Sequence, residues 1–250
     1  MNGKHVFVEK PFTVKSSQAE ELISLASKKK LIIMVDHTFL FTDAVRKIKE
    51  VINQNVLGDL YYYDSTRINL GLFQHDVNII WDLAPHDLSI MDFVLKEKPI
   101  AISALGISHF NKKLEDTAYI VVHFNNNMIA HFNMNWLSPV KVRTTLIGGK
   151  KKMLVWNDLE TDEKIKIYDK GVIVKNTESI YNLLVEYRSG DMYSPRINQV
   201  EALKNETEYF IKCIENSHVP INDGYSGLRI VKMLEAADKS LKLSGRKIKL

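Results

Sequence analysis

Two short apolar runs near the start of the chain, with one amphipathic stretch between them, leave few folds open. The first is His5–Val8 (HVFV) and the second is Leu31–Val35 (LIIMV). Runs this short, β-branched and without polar alternation read as strands buried on both faces. Between them Ala19, Leu22, Ile23 and Ala26 share one helical face. Ser16 or Ser17 is predicted to cap this helix, with Glu20 or Glu21 in its first turn and Lys28–Lys30 at its C-terminal end. Strand, helix, strand at this spacing predicts one right-handed crossover between parallel strands. Such a pair exposes edges and faces, so it is a poor domain by itself.

After His37 the texture changes. Asp43 through Asn53 is amphipathic helix, Gly58 ends it, and Leu60–Thr66 (LYYYDST) is rich in strand formers. A polar loop with Asn69, Gly71, Gln74, His75 and Asp76 leads to a second helix, predicted over Asp82–Leu95. Strand-like segments follow at close spacing: Ile100–Ile107, Thr117–Phe124, Met128–Met134, Val142–Ile147, Met153–Trp156, Lys164–Tyr168 and Val172–Val174. Turns at Asn125-Asn126-Asn127 and Gly148-Gly149 separate some of them. A run of strands without helices predicts a mostly antiparallel sheet. Two long helices, near Ile197–Asn216 and Tyr225–Leu243, close the chain. The expected class is α/β: a βαβ unit over residues 1–37, then an α+β unit over 38–250 built on an open sheet flanked by helices.

Composition narrows the functions. A net charge of +4 without an arginine-rich block does not call for nucleic acid. Lys28–Lys30 and Lys150–Lys152 read as a solvated helix end and a turn. A single cysteine, Cys213, excludes a disulfide within the chain and points to a reducing compartment, the cytoplasm. It falls in a helical pattern, where it packs as a small apolar residue. No run approaches the roughly 18 apolar residues that a membrane helix needs, and the N-terminus lacks a signal-peptide core. No third ligand with convincing spacing supports a metal at His86 and Asp82.

The strongest local signal for chemistry is WDLAPHDLSIMDF. In a helix starting at Asp82, Asp82 and His86 stack one turn apart on one face. Pro85 would sit in the first turn, where a missing N–H costs nothing. A carboxylate so placed fixes the tautomer of an imidazole and raises its basicity, as a general base requires. The same residues also suit a helix cap and a packing histidine. Lys10, at the carboxyl end of the first strand, points into the crevice where open α/β sheets bind ligands. Its ammonium could steady a developing alkoxide, with Pro11 holding the backbone beside it, in a cis bond if one forms. Taken alone, Glu9-Lys10 fits a surface turn better. His37 ends the second strand on the same side. His109, His123 and His131 lie in or beside the sheet and read as structural.

Taken together, KHVFVEKPF, the helix and strand after it, and WDLAPHD resemble the Gfo/Idh/MocA oxidoreductase family. The closing segment agrees: Val219-Pro220-Ile221-Asn222-Asp223-Gly224, then GLRIVKMLEAADKSLKLSGRKIKL. The resemblance implies a partial Rossmann unit followed by the family's open-sheet domain, with NAD or NADP as cofactor. It implies catalytic roles for Lys10, Asp82 and His86. His86 would accept the hydroxyl proton, Asp82 would orient it, and Lys10 would steady the oxygen. It also implies that Glu9, Lys10, Pro11 and His37 lie at the cofactor. Arg67, Asn69 and Trp81, with Asp82 and His86, are candidates for binding a small-molecule substrate. That substrate would be a sugar, polyol or nucleotide sugar.

Two departures stand out. The family's G-x-G-x-x-G turn brings backbone N–H groups to the pyrophosphate, and every glycine here is isolated except Gly148-Gly149. By family comparison the chain begins at the fifth Rossmann strand. In addition, Val77–Trp81 replaces the glycine triplet usual before D-x-x-x-H. Two functions are therefore expected. One is an N-terminally shortened sugar oxidoreductase. The other is a non-catalytic remnant or oligomerisation module. Either would form a dimer or tetramer through the open sheet.

Overall fold

The structure is a computed structural model and describes residues 3–71, 73–110, 114–174 and 185–250. Strands β1 (Val6–Glu9) and β2 (Ile33–Asp36) pair in parallel, Val6 opposite Ile33 through Glu9 opposite Asp36. Helix α1 (Ser16–Lys28) makes the expected crossover. Its capping differs from the prediction. Lys15 is the N-cap, no acid lies in the first turn, and the Ser16 N–H donates to Glu235 Oε1 at 2.9 Å. A carboxylate from a distant helix thus satisfies an end that local side chains leave open.

That helix is α5 (Gly224–Lys242), which covers the parallel pair. Phe12, Ala19, Ile23, Val35 and Val231 form a small core of their own between them. The approach is close enough to require Gly227, where an added Cβ would lie 2.8 Å from Val35 Cγ2. The free edge of β2 is also covered. Val35 donates its N–H to Asn222 O at 2.9 Å, and Asn222 Nδ2 donates to Val35 O at 2.6 Å.

A 3-10 turn (Thr38–Phe41) and helix α2 (Asp43–Asn53) lead into a second sheet. Its strands are β3 (Leu60–Leu70), β4 (Ala101–Ile107), β5 (Thr117–His123), β6 (Ile129–Asn135), β7 (Leu137–Gly149), β8 (Met153–Asn157), β9 (Ile165–Val174), β10 (Val185–Tyr193) and β11 (Ile248–Lys249). The order is β10-β9-β8-β7-β3-β6-β5-β4-β11. Every neighbouring pair is antiparallel except β3 and β6, which are parallel. Alternation sets two faces. Tyr63, Ser65, Arg67, Ile120 and Phe132 are buried on one, under helix α3 (Ile79–Val94) and α5, whereas Tyr119 and Ile129 are about half exposed on the other.

Several boundaries differ from expectation. β7 is longer than predicted, and the two segments near Lys164 and Val174 form one strand, β9. β10 was not anticipated, since Arg188-Ser189-Gly190-Asp191 interrupts its apolar pattern. Helix α4 (Ala202–Glu215) starts after Ile197. Helix α3 begins at Ile79 and not at Asp82, because Asn78 Oδ1 accepts the Trp81 N–H at 3.2 Å and caps it earlier.

Candidate functional site

The site is assembled where the tip of β1 meets the first turns of α3. Lys10 follows directly on β1, and its Nζ donates to Asp82 O at 2.9 Å and lies 3.8 Å from Asp82 Oδ1. Its peptide bond to Pro11 is cis. The earlier start of α3 moves Pro85 out of the first turn. Having no N–H, Pro85 leaves the Trp81 carbonyl without its usual partner four residues on. Lys10 binds the next carbonyl along, that of Asp82.

His86 lies one turn beyond Asp82. Its ring meets Phe39 edge-on, with centroids 5.3 Å apart, and its buried Nδ1 has no hydrogen-bond partner. Burial, with the nearby charges of Arg67 and Lys10, pushes its pKa down to about 2, so the ring is neutral. One expectation needs correcting here. Asp82 and His86 do share a face, but no hydrogen bond joins them. Asp82 is turned to Lys10, an ammonium that attracts a carboxylate more strongly than a neutral ring does.

Arg67 comes from the buried face of β3. Its Nε and Nη2 grip Asp87 at 2.7 and 2.8 Å, and its guanidinium stacks over Phe39 at 4.8 Å. This pair fixes α3 against the sheet. Arg143 on β7 stands opposite Arg67 in the register. Its Nη1 is 3.6 Å from Asp158 Oδ2, and its buried Nε has no partner. Asn69 bonds the neighbouring Leu70 carbonyl at 3.0 Å at the exposed end of β3. The Trp81 indole N–H is committed to Asp238 Oδ2 at 2.7 Å and ties α3 to α5.

At the end of β2, His37 is 2% exposed and neither ring nitrogen has a partner. Burial pushes its pKa down to about 4. Beside it is a chain of acids. Asp36 is near both Glu9 and Glu206, and burial first, then Asp36, raises the pKa of both glutamates. Glu206, fully buried, is pushed up to about 9 and is therefore protonated at neutral pH. Thr38 Oγ1 donates to Asp36, and Asn222 Nδ2 donates to Glu206 Oε1 at 2.8 Å. Glu9, expected at the cofactor, thus meets Asp36.

The structure brings Lys10, Asp82, His86 and Arg67 to one region, with Phe39, Asp87 and Arg143, which sequence reasoning passed over. Asp87 carried a weak signal, being charged on a largely apolar helix. Arg143 carried none, because only strand register places it beside Arg67. Chemically the region offers an ammonium donor near a neutral imidazole whose buried Nδ1 is unpaired and which, with its pKa held at about 2, is a weak base in this state. As a holder of a dinucleotide it is partial. No glycine-rich turn of the kind that receives a pyrophosphate occurs among the 250 residues.

Comparison with known proteins bears on this arrangement. Residues 1–37 match a family profile described as "Oxidoreductase family, NAD-binding Rossmann fold", and residues 45–155 match "GFO/IDH/MocA C-terminal domain". The chain is 23% identical over 238 residues to UDP-N-acetylglucosamine 3-dehydrogenase of Acidithiobacillus ferrooxidans, covering 92% of this chain and 68% of that protein. The crystal structure of that enzyme, GnnA, superposes with a TM-score of 0.77 at 21% identity, over 96% of this chain and 72% of the other. The uncharacterized oxidoreductase YdgJ of Escherichia coli is 34% identical over 179 residues, 65% of this chain and 49% of its own length. Aldose-aldose oxidoreductase from Caulobacter crescentus, solved with glycerol, gives a TM-score of 0.79 at 17% identity, over 99% of this chain and 72% of that one. Two profiles of one family fall in the right order, on the same fold. This chain therefore belongs to the Gfo/Idh/MocA oxidoreductases, a family with an NAD-binding Rossmann fold.

Proposed function

We propose that the chain is the catalytic and substrate-binding part of an NAD(P)-dependent dehydrogenase acting on a carbinol carbon of a sugar, polyol or nucleotide sugar. The observation that carries this reading is the meeting of Lys10 with the first turns of α3, one helical turn from His86, whose buried Nδ1 is unpaired. A nicotinamide cofactor supplies the hydride acceptor. His86, neutral and without a partner, receives the hydroxyl proton. Lys10 donates a hydrogen bond to the oxygen as its charge grows. Asp82 keeps Lys10 aimed, and Arg67, locked by Asp87, supports the ring of Phe39 beneath His86. The curated relatives support the substrate class, since they include dehydrogenases of UDP-N-acetylglucosamine and of inositol. The single cysteine supports a reducing, cytoplasmic setting.

A second reading rests on the lack of a glycine-rich turn and on the apolar outer face of the large sheet. Leu105, Tyr119 and Ile129 are 58%, 45% and 47% exposed there. In it the chain is a dimer or tetramer module that holds no dinucleotide. Titration with NADH, followed by fluorescence, separates the two for this chain: tight saturable binding removes the second reading, and no binding favours it. Turnover with NAD or NADP and a panel of sugars tests the first. His86→Ala should slow turnover by about 10²- to 10⁴-fold while leaving cofactor affinity unchanged. Unaltered turnover in that variant removes His86 from the mechanism.

A further inference from the structure

Beside His37 lies a cavity of about 300 Å³, whose lining includes neither Lys10 nor His86. Its walls come from the end of β2, from α2, from the C-terminal half of α3 and from the first turns of α5. Four charged residues line it: Lys49, Lys98, Arg229 and the single acid Asp92. Asp92 is already taken twice. Arg229 binds it through Nη2 at 2.7 Å and Nε at 3.0 Å, and Lys98 Nζ binds it at 2.9 Å.

Lys49 is left over. Its ammonium lies 3.9 Å from the centre of the Phe93 ring and donates to the Phe93 carbonyl, and among the described residues no carboxylate pairs with it. The lining therefore carries two more positive charges than negative ones. A half-buried cation without a counter-charge is costly, and a bound anion removes that cost. His37 supplies the second, independent sign. It is 2% exposed, it lines the same cavity, and both of its ring nitrogens lack partners. A buried imidazole in that state has a donor and an acceptor to give to an occupant.

We infer that this cavity is a binding site for an oxyanion, a phosphate or carboxylate group, held by Lys49, Lys98 and Arg229 and by the ring of His37. The volume is at the lower end of the range for ligand pockets, about 300 to 1,000 Å³. It suits a free phosphate ion with water or a small phosphorylated metabolite. The cavity is lined by none of Lys10, Asp82 and His86, and His37 is the one residue it has in common with those expected at the cofactor.

The test uses the full chain and inorganic phosphate, with sodium chloride at matched ionic strength as control. The imidazole signal of His37, identified by its loss in His37→Gln, is followed by NMR alongside the melting temperature. Phosphate should shift the His37 signal saturably and raise the melting temperature, and chloride should do neither. Lys49→Met should weaken apparent affinity by about tenfold or more, since a hydrogen bond to a charged group is lost. Lys98, whose side chain is 56% exposed, gives a second variant, Lys98→Met, that leaves the fold intact. Glucose 6-phosphate forms the other arm. Tighter binding than phosphate assigns the site to an organic phosphate, and equal binding assigns it to the free ion; both uphold it. An unmoved His37 signal, or equal affinity in wild type and both lysine variants, overturns it.

Discussion

Replacing Glu206 with glutamine should remove most of the chain's loss of stability between pH 7 and 9. The side chain is fully buried, and its carboxyl is raised from 4.5 to about 9, by burial first and then by Asp36. A raised pKa means that the folded state holds a proton the unfolded state has released. Stability is then complete below the unfolded value, near 4.5, and is lost as pH rises towards about 9. At about 1.4 kcal/mol per pH unit, the two units between pH 7 and 9 cost about 3 kcal/mol. Glutamine keeps the shape without an ionisable proton, and its oxygen can accept from Asn222 Nδ2 as Glu206 Oε1 does. Urea denaturation at pH 7, 8 and 9 gives the unfolding free energy of both proteins. The readout is the difference between them, in which other titrating groups cancel. The wild type should fall by about 3 kcal/mol relative to the variant across that window. Parallel curves would show that Glu206 is ionised in the folded state and would refute the reasoning.

Breaking the buried Arg67–Asp87 pair by Arg67→Met should cost about 3–5 kcal/mol in urea melts, because Asp87 is left buried and charged, and Arg67→Met with Asp87→Leu should recover most of it. Gly227→Ala should destabilise by about 1–3 kcal/mol, since its methyl meets Val35 at 2.8 Å and Phe12 at 3.1 Å. His37 is held neutral in the folded state down to about pH 4, whereas the unfolded ring protonates near 6.5. Stability should therefore fall as pH drops through that range, by about 1.4 kcal/mol per unit for this residue, and His37→Phe should flatten the slope in acid melts.

What could be read in advance was local. The βαβ unit followed from two apolar runs and a 3.6-residue pattern, and the parallel pairing of β1 with β2 and the crossover helix α1 agree with it. The joint role of Lys10, Asp82 and His86 came with the family resemblance, since each segment alone also fits a surface turn, a helix cap or a packing histidine. What was missed depends on residues far apart in sequence. The cap of α1 comes from Glu235, more than 200 positions away, and the partner of Asp82 is Lys10 and not its helical neighbour. Arg143 reaches the site only through the pairing of β7 with β3, and pairing follows from packing that no single strand encodes. Glu206 reads as an ordinary helix glutamate. Its burial follows from the segment at Asn222, which α4 and β2 sandwich.

The central claim is that Lys10 and His86 act on one sugar in one cleft. The most direct test measures binding of a nucleotide sugar, UDP-N-acetylglucosamine, by saturation-transfer NMR to the wild type, Lys10→Met, His86→Ala and the double variant. Each single change should weaken binding, and the double change should depart from the sum of the two by more than about 0.5 kcal/mol, as expected for residues sharing a ligand. Binding that neither change affects, or losses that simply add, would contradict the account.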